Sequence, residues 1–215
     1  MNMMKIIASL LLVLVALFGW QMRSFAGLPV AESIMDEQPE GYPSITLGGG
    51  CFWCLESEFR SLDGVKHTRV GYMGGHIKAP SYEQVTTARS GHAEVVMITY
   101  DPKVLPLEKL LHYFFEIAHD PTTLNQQGVD KGPQYRSAIF YANEEEKALA
   151  ENVITAVNAK KVYKKPIVTT LEPAATFWEG EDYHQQYYEK YEEQTGQEHI
   201  RVFLKKKKKA AKGLY

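Results

Sequence analysis

Apolar and polar positions follow two periods along this chain, and the changes of period mark its elements. Ser44 to Gly50 is a short apolar segment that runs into three glycines. From Cys51 the period becomes helical, with Phe52, Leu55, Phe59 and Leu62 three or four residues apart. Val65 to Gly74 alternates and ends in Gly-Gly, the pattern of a strand entering a loop. His92 to Tyr100 is rich in β-branched residues, closes at Asp101-Pro102 and predicts another strand. Leu107 to His119 returns to helical spacing through Leu110, Leu111, Phe114, Phe115 and Ala118. Ser137 to Tyr141 is strand-like. A helix over 144–161 opens with Asn143 and, three residues on, Glu146. Ile167 to Leu171 predicts a further strand and Asp182 to Thr195 a last helix.

The predicted order is β-α-β-β-α-β-α-β-α, and its first six elements match the split βαβ arrangement. The expectation is one α+β domain over residues 44–204. It would be a two-layer sandwich with a mixed sheet and a ferredoxin-like core.

The ends of the chain differ from its middle. Met1 to Lys5 is a basic start, Ile6 to Trp20 is an apolar run, and Ser24 and Ala26 stand in the spacing of a cleavage site. Residues 1–26 therefore predict a signal peptide and export to a periplasmic or extracellular space. An uncleaved membrane anchor is the second reading and a buried helix the third, although the run is short of the ~20 residues a bilayer needs. Residues 27–43 carry Pro29, Pro39, Gly41 and Pro43 without a sustained period, and predict a linker. Residues 205–215 are Lys-rich and predict a disordered tail, with contact to anionic lipid head groups as the alternative.

The net charge of -2 conceals a segregation, because all 26 acidic residues but only 16 of the 24 Lys and Arg lie in 27–204. A net of -10 over that stretch argues against binding a phosphate backbone, so no nucleic-acid partner is expected.

Only two cysteines occur, at Cys51 and Cys54, which excludes a multi-disulfide framework and a four-cysteine zinc site. The glycines at 48–50 allow a tight passage from strand to helix and place Cys51 at a helix N-terminus. Unpaired amides there favour a thiolate, and so a nucleophile. Phe52 and Trp53 offer an aromatic wall for a small apolar group. The residues alone leave other readings open: an inert buried pair, a four-residue disulfide loop, a cysteine–histidine metal site, or thioredoxin-like exchange through Cys-x-x-Cys.

Gly50-Cys51-Phe52-Trp53-Cys54-Leu55-Glu56 resembles the signature of the class A peptide-methionine sulfoxide reductases. Val70 to Gly75, Pro80 to Val85, Gly91 to Val96, Phe115 to Thr123, Gln127 to Ser137 and Ala175 to Gln186 resemble family segments in family order. The resemblance covers about residues 44–190.

It implies reduction of the S epimer of methionine sulfoxide, free or in proteins, without metal or bound cofactor. Cys51 would attack sulfur and be left as a sulfenic acid, and Glu94 would supply the proton. Tyr82 and Tyr135 resemble the family's hydroxyl donors to the sulfoxide oxygen, and Asp130 its acidic residue just before Tyr135. Phe52 and Trp53 would form the methyl pocket, with His184 as a supporting residue. A thioredoxin-like thiol would return the electrons; the absence of a long apolar heptad gives no reason to expect more than a monomer. One departure stands out. Many relatives carry a resolving cysteine near the C-terminus, where this chain has lysines. Cys54 is then the candidate resolving residue, and direct reduction of the sulfenic acid by an external thiol is the alternative.

Overall fold

The computed structural model describes residues 39–197. The expected signal peptide, most of the linker and the Lys-rich tail lie outside the described residues. The elements are β1 (Ser44–Gly49), α1 (Phe52–Arg60), β2 (Val65–Met73), α2 (Tyr82–Thr86), β3 (Ala93–Tyr100) and α3 (Leu107–Tyr113). A small hairpin of β4 (Gln126–Gln127) and β5 (Asp130–Lys131) follows. Then come β6 (Ser137–Tyr141), α4 (Glu144–Ala159), β7 (Thr170–Pro173), β8 (Trp178–Glu179) and α5 (Tyr187–Thr195).

The main sheet has the order β7-β6-β1-β3-β2-β8. Its four central strands are antiparallel neighbours, and β6-β1-β3-β2 is the order a split βαβ core requires. β7 joins parallel to β6, and β8 joins antiparallel to β2, so the sheet is mixed as expected.

Strand alternation sends neighbouring side chains to opposite faces, and the two faces are unequal. Ile45, Leu47, Val70, Tyr72, Val96, Ile98 and Ile139 meet Phe59 of α1, Leu110 and Leu111 of α3, and Val153 and Val157 of α4. Met73, Ala93, Val95, Ala138 and Phe140 form a smaller cluster on the other face, against Phe177. The start of α4 follows the expected chemistry, since the Asn143 side chain accepts from the Glu146 N–H at 2.9 Å.

Three elements differ from the periodicity. The helix expected through His119 widens into a π-helical turn over Phe114–Ala118, and the His119 ring turns back to the Phe114 carbonyl at 2.8 Å. The strand expected at 167–171 begins at Thr170, because the Val168 N–H is spent on the Pro121 carbonyl at 2.9 Å. The last helix starts at Tyr187 rather than Asp182. Gln186 there adopts φ 52 and ψ 41, and its N–H donates to Glu56 Oε2 at 2.8 Å. The Gln185 side chain meanwhile bonds both the N–H and the carbonyl of Val70, each at 2.9 Å. Long-range hydrogen bonds, invisible to a local pattern, set that boundary.

Candidate active site

The junction of β1 and α1 positions Cys51. Gly50 has φ +100, and a Cβ there would lie 2.5 Å from Gln127 Cγ, so the turn and the close approach both demand glycine. Cys51 follows as the N-cap residue of α1, and its carbonyl accepts from the N–H groups of Cys54 and Leu55 at 3.2 Å each. The thiol therefore stands at the open, electropositive end of the helix.

Glu94 enters from β3, the strand paired directly with β1, which leads into that helix end. Its side chain is 2% exposed, and Oε2 accepts from the Phe52 N–H at 3.1 Å. Burial pushes the carboxyl up to about 8, against the lowering effect of the Phe52 bond and with further repulsion from Asp130 and Cys54. At neutral pH it holds its proton and can donate it.

Two tyrosines and Asp130 complete the cluster. Tyr82 opens α2, where Ser81 and Gln84 form a reciprocal capping box and the Tyr82 N–H donates to Glu181 Oε1 at 2.9 Å. Tyr135 closes the single 3₁₀ turn Pro133–Tyr135 before β6. Burial raises both phenols, and Glu94, Cys51 and Asp130 oppose their ionisation further, so both remain O–H donors. Asp130 is paired with Gln127 in the β4–β5 hairpin, and burial raises its carboxyl. The structure thus brings Cys51, Glu94, Tyr82, Tyr135 and Asp130 to one place.

The aromatic pair after Cys51 divides its work. Phe52 is 1% exposed and forms a floor against Tyr72 and His184. Trp53 is half-buried, stacked on Tyr187 with centroids 3.8 Å apart and planes 9° from parallel. His184, itself 1% exposed, accepts from Trp53 Nε1 and packs beside Tyr82 at 4.6 Å.

The family model described as peptide methionine sulfoxide reductase matches residues 43–214. The chain belongs to this family. The peptide methionine sulfoxide reductase MsrA of Methanothermobacter thermautotrophicus is 52% identical over 149 residues, 69% of this chain and 88% of that protein. MsrA of Chromobacterium violaceum is 51% identical over 148 residues, 69% of this chain and 84% of that one. Among solved structures, Mxr1 from Saccharomyces cerevisiae in reduced form matches with TM-score 0.66 and 36% identity. That match covers 71% of this chain and 87% of Mxr1. Methionine sulfoxide reductase A of Corynebacterium diphtheriae gives TM-score 0.62 at 36% identity, over 72% of this chain and 76% of that one. Mxr1 in complex with Trx2 also matches, with TM-score 0.50, 28% identity and coverage of 70% and 87%.

In this methionine sulfoxide reductase both thiols are free and line one cavity of about 130 Å³ with His119, Gln127 and Asp130. A hydrogen bond between the thiols separates their acidities. It lowers Cys54 to about 7, against burial and with help from the Tyr188 hydroxyl. The same bond, then burial and the neighbouring charges, push Cys51 upward. The pair gives up one proton near neutrality and retains the second. The helix N-terminus and the neighbouring thiol thus act on Cys51 in opposite directions.

His119, Tyr187, Tyr188 and Glu181 were not singled out by the sequence. The two tyrosines directly follow the Asp182–Gln186 segment and were visible as an aromatic pair, but only the fold turns them onto α1. Among the described residues, no three or more His, Cys, Asp and Glu side chains converge so as to hold a metal ion.

Proposed function

We propose that Cys51 attacks the sulfur of a methionine-S-sulfoxide, free or within a protein, while Glu94 protonates the oxygen. The sulfoxide sulfur gains two electrons and leaves as methionine, and Cys51 keeps the oxygen as a sulfenic acid. A proton shift within the thiol pair, from Cys51 to Cys54, generates the attacking thiolate. Tyr82 and Tyr135 donate to the sulfoxide oxygen as charge builds on it. Trp53, above the Phe52 floor, faces the S-methyl group. The observation that carries this reading is the buried Glu94 carboxyl, accepting from the amide that directly follows Cys51 and weakened as an acid by its burial.

The test is incubation with dithiothreitol and a diastereomeric methionine sulfoxide mixture. Loss of the S epimer alone, abolished in Cys51→Ser, is expected; loss of neither epimer sinks the proposal. Turnover in the cell requires a thioredoxin-type donor, a reading supported by the yeast relative solved in complex with Trx2. We also infer export, supported by the basic start and the apolar run Ile6 to Trp20. Secreted material beginning at Gly27 is the expected result, and an intact Met1 in a cytosolic fraction contradicts it.

A further inference from the structure

Helix α5 meets α1 residue against residue. Tyr187 stacks on Trp53, and the next residue, Tyr188, places its hydroxyl 3.0 Å from Cys54 Sγ. Tyr188 is 5% exposed, and the bend before it is pinned by the Gln186 N–H on Glu56, a carboxylate of α1 itself. The hydroxyl is thus held against the sulfur by a packed helix. Of the two atoms, a phenol O–H must be the donor whenever Cys54 is a thiolate.

We propose that Tyr188 is the positioning residue for the second half of the reaction, holding Cys54 as an oriented thiolate that closes onto the Cys51 sulfenic acid. The inference rests on the reading that Cys54 resolves the enzyme. In the closing step the Cys54 sulfur forms the S–S bond and the Cys51 S–O bond breaks. Cys54 is oxidised, the Cys51 sulfur is reduced, and the proton lost by Cys54 leaves with the departing oxygen as water. Both thiols open onto the same cavity, which gives that water a way out. A donor hydrogen bond to a thiolate lowers its pKa and raises the fraction competent to attack. Tyr188 therefore assists a step in which it never touches the sulfoxide.

The experiment is single turnover without reductant, with one equivalent of methionine-S-sulfoxide, on the wild type and on Tyr188→Phe. Released methionine counts competent sites, and mass spectrometry follows the gain of sixteen mass units and its conversion to a loss of two. Removing the bond should raise the Cys54 pKa by about one unit, while the more basic thiolate is intrinsically the better nucleophile. Closure in Tyr188→Phe should then run about three- to fourfold slower well below the transition and about threefold faster well above it. The two pH–rate curves cross. A loosened helix would slow closure at every pH and give no crossing, which overturns the proposal. Superimposable profiles overturn it too, while leaving Cys54 as resolving residue. A wild type that stops at plus sixteen removes the underlying reading, and the proposal with it. Adding Tyr188→Phe to Cys54→Ser should leave the lifetime of the sulfenic acid where Cys54→Ser alone puts it; a further change counts against the pairing.

Discussion

Trp53 donates its indole Nε1–H to Nδ1 of His184 across 2.9 Å, tying the residue two after Cys51 to one 131 positions further along the chain. The bond fixes the tautomer. Nδ1 accepts, so the proton is on Nε2, which faces Glu181 Oε2 at 3.6 Å.

His184→Ala should therefore act on substrate binding more than on chemistry. Losing the acceptor frees the Trp53 ring, and the expected outcome is a KM for methionine sulfoxide raised several-fold with a smaller fall in kcat. Burial holds the His184 pKa below its ordinary 6.5, against the pull of Glu181 and Glu83. Its contribution to the fold is thus complete above about 6.5 and declines as the pH falls through the lower folded value. Steady-state kinetics test the first statement, which an unchanged KM would refute, and urea unfolding of the wild type and His184→Ala between pH 5 and 8 tests the second.

Glu94→Gln should lose most activity and gain stability. The carboxyl rises from 4.5 unfolded to about 8 folded, so between those values the folded state binds the extra proton and stability falls as the pH rises. A neutral amide removes that penalty, on the order of 3 kcal/mol at pH 7 and falling to about 1 kcal/mol at pH 5. Urea unfolding at the two pH values measures the difference. Wild-type activity should also decline as the pH passes about 8, where the acid loses its proton.

Glu56 is a second buried carboxyl, raised to about 7 by burial despite hydrogen bonds from Thr68 and the Gln186 N–H. Glu56→Ala strands both donors, and should cost about 2–3 kcal/mol. Hydrogen exchange should show the loss concentrated at the start of α5, over Tyr187–Lys190.

Gly50→Ala should be among the more damaging single-methyl changes in the protein. A φ of +100 costs an alanine about 1–3 kcal/mol, and the added Cβ would displace the Gln127 side chain. The melting temperature should fall, and the alkylation rate of Cys51 should change because the N-cap geometry moves with it. A variant with wild-type melting and wild-type alkylation would contradict this account.

The strands and helices that face the core were legible because their periods are imposed by burial on one side. The four-strand order was legible for the same reason: β1, α1, β2, β3, α3 and β6 each carried a clear stripe. What escaped was set by contacts distant in sequence. The bend at Gln186 exists because Glu56 and Val70 hold it, and the hairpin at 126–131 is too short to show a period. Cys51, Glu94, Tyr82, Tyr135 and Asp130 could be named from motif segments, yet the acidity order of the two thiols could not. It depends on a thiol–thiol hydrogen bond and on Tyr188, neither of which a linear pattern carries.

The capture of Trp53 and Cys54 by adjacent tyrosines of α5 bears on how small a working version of this enzyme can be made. All the recognisable motif segments end by Gln186, so a fragment stopped there would contain every residue proposed to touch the sulfoxide. It would also leave an indole without its stacking partner and a sulfur without its donor. The minimal catalyst must extend at least one helix past the last motif, and engineering that shortens the protein should treat that helix as part of the reaction centre.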